Sequence, residues 1–358
     1  MENLPWKKFD PMNISLKDAI KYLFLAAVLI YPLFAFANEY VLHVMVLIMV
    51  YMILAMGLNI IPGFCGLLDL GYVGFYGIGA YTAGLLTIHF GLSFWVIVPL
   101  AALNGAIWGV LLGAPTLRLT GDYFAIVTFG FSELVVLFLT NEIWLTRGPL
   151  GLPGIDPVII NFSWLSTMIN PEWDWYWEFL GLRPYFYLAV FLVALVYIIM
   201  GRMEDSRLGR AWFAIREDPI AASSCGVNLL TYKVIGFAIS AAIGAVAGAF
   251  LARWTMFLSP DMFKFWESFL VLCMVVLGGL GNFKGSLVGA AVLIALGEIL
   301  RMVLPGLGLP AETRFLAYGL IMVLMMRFKP MGFFPNIATQ SQNNPILIKL
   351  KKELGSSS

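Results

Sequence analysis

VLHVMVLIMVYMILAMGLNII, residues Val41 to Ile61, contains no aspartate, glutamate, lysine or arginine. A helix that crosses the hydrocarbon core of a bilayer needs about 20 mainly apolar residues, and this run has that length. Comparable runs fall near residues 19–37, 72–90, 94–114, 122–140, 184–200, 233–252, 265–281, 285–304 and 314–328. The chain is 61% hydrophobic and 12% charged, whereas a soluble domain carries roughly 25% charged residues. Its mean hydropathy is +0.88. A β-barrel would show short alternating segments instead of continuous apolar ones. The expected fold is an all-α polytopic membrane protein of about ten transmembrane helices.

Other classes fall away quickly. A net charge of +1 offers no basic surface for nucleic acid. Cys65, Cys225 and Cys273 form neither a CxxC pair nor a disulfide framework. His43 and His89 stand far apart, so neither a zinc nor a haem site is expected, and no metal site is assigned. The first eighteen or so residues are polar and include acids, unlike a signal-peptide leader. The run at 19–37 is therefore expected to stay as a first helix.

Lys7, Lys8, Lys17 and Lys21 precede that first span, and Arg327, Lys329, Lys349, Lys351 and Lys352 follow the last. The excess of lysine and arginine on cytoplasmic loops predicts that both termini are cytoplasmic, which an even number of spans satisfies. Within one transmembrane permease domain, 1–358, three non-spanning segments follow. Residues 142–184 form an extracytoplasmic loop with two basic and five acidic residues. The loop also holds five of the eleven tryptophans, namely Trp144, Trp164, Trp173, Trp175 and Trp177. Residues 201–232 form a cytoplasmic loop with Arg202, Arg207, Arg210 and Arg216, and residues 330–358 form a cytoplasmic tail that ends in GSSS.

Two stretches are unusually rich in glycine: PGFCGLLDLGYVGFYGIGAYTAG (Pro62–Gly84) and LGGLGNFKGSLVGAA (Leu277–Ala291). Irregular backbone at membrane depth is tolerated only where protein buries it or it lines a wet cavity. Broken helices at matching places in two halves point to a transport pathway. One stretch lies in spans 1–5 and the other in spans 6–10, and five spans per half would make the halves inverted repeats. The candidate pathway residues are Gly63, Gly66, Asp69, Gly71, Tyr72, Gly77, Gly79, Tyr81, Glu133, Gly278, Gly279 and Gly281. Asp69 and Glu133 are acids within apolar surroundings, which mark functional sites, and a proton-coupled carrier would use such groups. Gly105, Gly109 and Gly113, and Gly244 with Gly248, have the spacing of close helix contacts instead. Glu298 and Arg301 have the i,i+3 spacing of an ion pair on one helix face.

Soluble chemistry has no foothold. The run Gly278–Ser286 is not a phosphate loop, because Lys284 precedes Gly285 where GxxxxGK[ST] needs the reverse. No catalytic residues are assigned. The segment Gly209 to Lys233, by contrast, interrupts the apolar chain with a punctuated helix: Asp218 suits the N-cap, Pro219 the first helical position and Gly226 the position after the C-cap. The residues alone allow either a solvated loop helix or a short helix that inserts into another protein.

Five ordered stretches now carry a resemblance. They are GLNIIPGFCGLLDLGYVGFYGIGAYTAGLL (Gly57–Leu86), LRLTGDYFAIVTFGFSELV (Leu117–Val135), TRGPLGLPGI (Thr146–Ile155), SRLGRAWFAIREDPIAASSCGVN (Ser206–Asn228) and MVVLGGLGNFKGSLVGA (Met274–Ala290). They resemble the branched-chain amino acid permease family, LivM type, of binding-protein-dependent ABC importers. The resemblance spans most of the chain. Asp69 and Tyr72 stand where the family commonly has serine and histidine. Pro219 replaces a common acid and Leu150 a usual asparagine.

The resemblance implies a permease subunit that moves branched-chain amino acids by ATP-driven alternating access. Its partners would be a second homologous permease, two cytoplasmic ATP-binding subunits, an extracytoplasmic binding protein and membrane lipid. ATP and magnesium would sit in the partner ATPases, with no cofactor in this chain. The cytoplasmic or inner membrane of a bacterium or archaeon would house the complex. Gly209, Arg210, Ala214, Ile215, Arg216, Glu217, Asp218, Pro219, Ala221, Ala222 and Gly226 would then form the ATPase coupling segment. Related permeases carry urea and short amides, so these remain alternative substrates.

Overall fold

Asn38 accepts the Tyr40 amide on its side chain and starts helix α1, Glu39–Leu58. In this computed structural model the described residues are 31–33, 38–116, 122–161, 176–178, 181–307, 310, 313–329 and 332–334. The expected first span at 19–37 lies outside them except for a short 3-10 turn, Tyr31–Leu33. The lysine-rich segments used for orientation, residues 7–21 and 349–352, lie outside them too, as do Trp164, Trp173 and Trp175.

The other apolar runs form helices close to where they were expected. These are α2 (Tyr72–Phe90), α3 (Phe94–Thr116), α4 (Asp122–Asn141), α5 (Leu182–Glu204), then α6 (Arg207–Glu217) and α7 (Pro219–Ser224) in the polar segment. Next come α8 (Leu229–Thr255), α9 (Phe265–Gly278), α10 (Phe283–Val303) and α11 (Thr313–Phe328). Among the described residues six helical stretches are long and apolar enough to cross a membrane: Glu39–Cys65, Phe94–Thr116, Tyr123–Asn141, Leu182–Glu204, Leu229–Thr255 and Phe283–Gly306. The chain is an all-α membrane protein. The 14-residue α9 reaches only about 21 Å at 1.5 Å per residue.

Helix α8 is the centre, packed against α3, α2 and α1. Small residues make this possible, because close backbone approach replaces the hydrophobic drive that lipid removes. A Cβ on Gly109 of α3 would lie 2.8 Å from that of Ala241, and one on Gly248 of α8 would lie 2.1 Å from the Tyr76 carbonyl oxygen. The spacings at Gly105, Gly109 and Gly113 and at Gly248 are thus helix contacts, as expected. Gly79 also belongs to this crossing, its virtual Cβ 2.3 Å from Cα of Ala245.

Among the described residues sheet is confined to two small antiparallel pairs: Leu152–Pro153 with Phe257–Leu258, and Ile159–Asn161 with Tyr176–Glu178. Arg301 and Glu298 do form the expected i,i+3 pair at 3.7 Å, and the Tyr40 hydroxyl donates to the same carboxylate at 2.6 Å. With Arg301 exposed, such a pair contributes only a few tenths of a kcal/mol.

Candidate functional site

The continuation of α1 decides the local geometry. Pro62 lacks an amide hydrogen to extend a regular helix. The chain widens into a π-turn over Ile61–Cys65, and Gly66 takes a left-handed conformation with φ of 70°. No helix forms again until Tyr72. Asn59, fully buried at the start of this break, donates from Nδ2 to Ser286 Oγ at 2.8 Å and accepts the Gly281 amide on Oδ1 at 2.9 Å. Gly281 lies within a second break, Gly279–Asn282, and Ser286 in the first turn after it; Gly279 and Gly281 have φ of 118° and 81°. The two breaks touch directly: a Cβ on Gly63 would lie 2.5 Å from the Gly281 nitrogen. Gly278 is held as closely, 2.2 Å from the Gly285 carbonyl oxygen by the same measure.

The polar segment sits on this junction. Ser206 caps α6 by accepting the Leu208 and Gly209 amides at 3.1 and 3.4 Å. Gly209 lets α6 fold tightly under α5, since a Cβ there would lie 2.2 Å from the Glu204 carbonyl oxygen. Arg210 closes the same corner by donating to the Asp205 carbonyl at 2.8 Å. The inner face of α6 buries Trp212 and Ile215. Phe64 from the break stacks on Phe283 and meets Phe213 at a tilt, with ring centroids 4.8 and 4.9 Å apart, and Trp212 Nε1 donates to the Tyr232 carbonyl at 2.8 Å. Arg216 donates from Nη1 to the Gly63 carbonyl and lays its stem along Gly66. Burial pulls the Arg216 guanidinium below its ordinary pKa, yet it remains charged at any physiological pH.

Helix α7 forms as its punctuation requires. Asp218 accepts the Ile220 and Ala221 amides at 2.8 and 3.1 Å, Pro219 takes the first position, and Gly226 follows with φ of 84°. Ala222 is buried against the protein, while Ala214, Glu217, Pro219 and Ala221 face outward with Ile220, which is 79% exposed. Replacing Asp218 with alanine removes both cap bonds and costs this short helix about 1 kcal/mol. Faster amide exchange confined to residues 220–225 is the expected result, checked by hydrogen-exchange mass spectrometry.

The remaining candidates lie along α2. Asp69 is buried, with Oδ1 accepting the Gly71 amide at 2.8 Å; Oδ2 and the neighbouring Tyr72 hydroxyl have no hydrogen-bond partner. Gly71 packs on the Thr128 backbone of α4. The Val73 amide donates to Ser268 Oγ in α9 at 3.1 Å, and Gly77, Tyr76 and Tyr81 pack on Phe263 just before α9. Two helices, α2 and α9, therefore begin side by side after irregular leads. Glu133 stands apart, exposed on the outer face of α4. The structure thus joins Gly63, Gly66, Gly278, Gly279 and Gly281 into one junction with Arg216. It groups Asp69, Gly71, Tyr72, Gly77 and Tyr81 beside it, and it leaves Glu133 and the packing residue Gly79 outside.

Sequence reasoning missed Asn59, although an amide inside an apolar run is a signal. It also missed Arg253 at the far end of α8. That guanidinium is buried and donates to the carbonyls of Asp156 at 2.7 Å, Pro157 at 3.2 Å and Leu92, while Tyr185 donates to its carbonyl at 2.9 Å. Replacing Arg253 with methionine would remove its charge-assisted hydrogen bonds to these partly buried carbonyls, at about 1 kcal/mol or more in all. Lower thermal stability and early exchange at residues 91–94 and 155–158 are expected.

Residues 40–326 match the family model described as the permease component of a branched-chain amino acid transport system. The chain is 42% identical over 298 residues, 81% of its length and 68% of the relative's, to the high-affinity branched-chain amino acid transport system permease protein LivM of Escherichia coli (strain K12). It is 25% identical over 326 residues, 80% of its length and 90% of the relative's, to the probable branched-chain amino acid transport permease protein LivM of Methanocaldococcus jannaschii. It is also 24% identical over 251 residues, 68% and 79% of the two chains, to the LivH permease protein of E. coli (strain K12). No solved structure matches.

Proposed function

This chain belongs to the branched-chain amino acid transport system permease family, and from that membership we propose that it carries leucine, isoleucine and valine through a membrane as one subunit of an ABC importer. It is a permease and not itself an enzyme; ATP and magnesium belong to two partner ATPases. Similarity to relatives named both LivM and LivH supports pairing with a second homologous permease, and an extracytoplasmic binding protein completes the set. The full topology is ten spans in two inverted halves of five, with both termini cytoplasmic, in the cytoplasmic membrane of a bacterium or archaeon.

The observation that carries the mechanism is the contact of Arg216 with the Gly63 carbonyl. Through it, movement of α6 and α7 reaches the first helix break, and Gly63 and Asn59 pass it to the second break at Gly281. Closure of the ATPase pair would push the exposed α7, and the bistable breaks would turn that push into alternating access. The side-by-side starts of α2 and α9 support a pathway past Asp69 and Tyr72, in the manner of discontinuous helices.

Uptake into proteoliposomes tests this reading. Labelled leucine should enter only with the partner permease, the ATPases, the binding protein and ATP all present. Urea uptake by the same complex would keep the mechanism and change the substrate. Uptake by this chain alone on a proton gradient would replace the importer with a secondary carrier.

A further inference from the structure

Two opposite charges face one another across the first turns of α9 and α11. Trp266 of α9 packs on Phe315 of α11 with ring centroids 5.8 Å apart, and Glu267 and Arg314 are the chain neighbours of those two rings. Arg314 acts electrostatically on Glu267, yet no ion pair joins them; the ion pairs among the described residues are Lys264–Asp261 and Arg301–Glu298. We propose that the gap between them receives the charged head of the transported amino acid, with Glu267 taking the α-ammonium and Arg314 the α-carboxylate. Such a site presupposes the importer function above and names the chemistry by which this chain would know its substrate.

Opposite charges within reach attract strongly where water is scarce. Here each is held back by another partner. The Tyr51 hydroxyl of α1 donates to the Glu267 carboxylate, and the Arg314 guanidinium lies over the Phe315 ring, 5.3 Å from its centroid. Glu298 of α10, which also acts on nearby Tyr318, is occupied by Tyr40 and Arg301. A zwitterion set between Glu267 and Arg314 gives both charges a bonded counterpart, and a planar guanidinium can grip a carboxylate by two bonds. Neutral urea would leave both charges unmatched.

Glu267, Tyr51 and Arg314 are each only partly buried, so the space between them is not packed shut. Tyr76 and Tyr318, both buried, stand within the electrostatic reach of Glu267. Tyrosines from α1, α2 and α11 thus gather around one carboxylate.

The placement suits a substrate route. Ser268, next in the chain to Glu267, accepts the Val73 amide at 3.1 Å, so the carboxylate sits where α2 and α9 begin side by side. Its partner Tyr51 lies twelve positions into α1 from Glu39, about 18 Å along the helix. That is deep in a hydrocarbon core about 30 Å thick. Acids at such depth mark the paths of substrates and ions.

The test labels Glu267 with a hydrophobic carbodiimide in the assembled importer, resting and cycling on ATP, and counts adducts by mass spectrometry. Saturating leucine should cut the adducts about tenfold. Leucinamide, which keeps the ammonium and lacks the carboxylate, should protect as well. Isocaproate, which lacks the ammonium, and urea should not. Arg314→Gln should raise the leucine concentration for half-protection about tenfold, the loss of one charge-assisted contact, and leave that of leucinamide unchanged. Adducts absent from Glu267 in both states would overturn the proposal. So would protection by isocaproate equal to that by leucine, failure of leucinamide to protect, or leucine protection that ignores Arg314→Gln. Uptake of labelled leucine, measured alongside, separates this site from the function beneath it: uptake without protection overturns the site alone, and no uptake overturns the importer.

Discussion

Substituting Arg216 with alanine is expected to leave the importer assembled and hydrolysing ATP while uptake falls about thirtyfold. Arg216 supplies a charge-assisted hydrogen bond between the polar segment and the Gly63 carbonyl. Such a bond contributes about 2 kcal/mol, which as a barrier difference is a factor of about 30. The stem of Arg216 also fills the space beside left-handed Gly66, so Arg216→Lys should recover part of the loss and not all of it. The measurement is the ratio of leucine transported to ATP hydrolysed in proteoliposomes. A purely structural Arg216 would lower both rates together and leave that ratio intact.

The second large effect is expected at Asn59. Replacement by leucine keeps the volume but removes the acceptor of the Gly281 amide and the donor to Ser286 Oγ, both supplied by a fully buried side chain. Each buried hydrogen bond lost costs about 1–2 kcal/mol, so the complex should lose roughly 2–4 kcal/mol of stability. Thermal unfolding of the purified complex measures it. Ser286→Ala in the Asn59→Leu background should then cost almost nothing further, since coupled partners are not additive. Full additivity of the two substitutions would refute the assignment. Gly63→Ala attacks the same junction sterically. Its new methyl would lie 2.2 Å from Asn59 Oδ1 and 2.5 Å from the Gly281 nitrogen, so one break must move away from the other.

Much of the fold was legible before the coordinates. The runs at 72–90, 94–114 and 122–140 became α2, α3 and α4 almost residue for residue, because length and unbroken apolarity suffice to mark a helix in lipid. Helix α7 was legible for a different reason, since Asp218, Pro219 and Gly226 act on their own neighbours. What stayed hidden was the facing of each helix. Lipid is as apolar as a protein interior, so nothing in the letters around Glu133 says that it looks outward. Arg253 and Asn59 were illegible for the complementary reason: their partners lie 97 and 222 positions away in the chain. The span read at 265–281 became the short α9, Phe265–Gly278, and the irregular lead before it, 257–264, was not read as an element. The lead earned no mark because Phe257, Leu258 and Phe263 are as apolar as a helix.

If α7 couples to the ATPases as proposed, its build bears on how such machines diversify. The residues that shape α7 all lie between Asp218 and Gly226, and the residues that moor the segment, Trp212, Ile215 and Arg216, belong to α6. The outward face, led by Ile220, does neither job. A lineage can therefore redraw that face to suit a new motor without retuning the hinge beneath it, much as a plug can be changed while the wiring behind it stays in place.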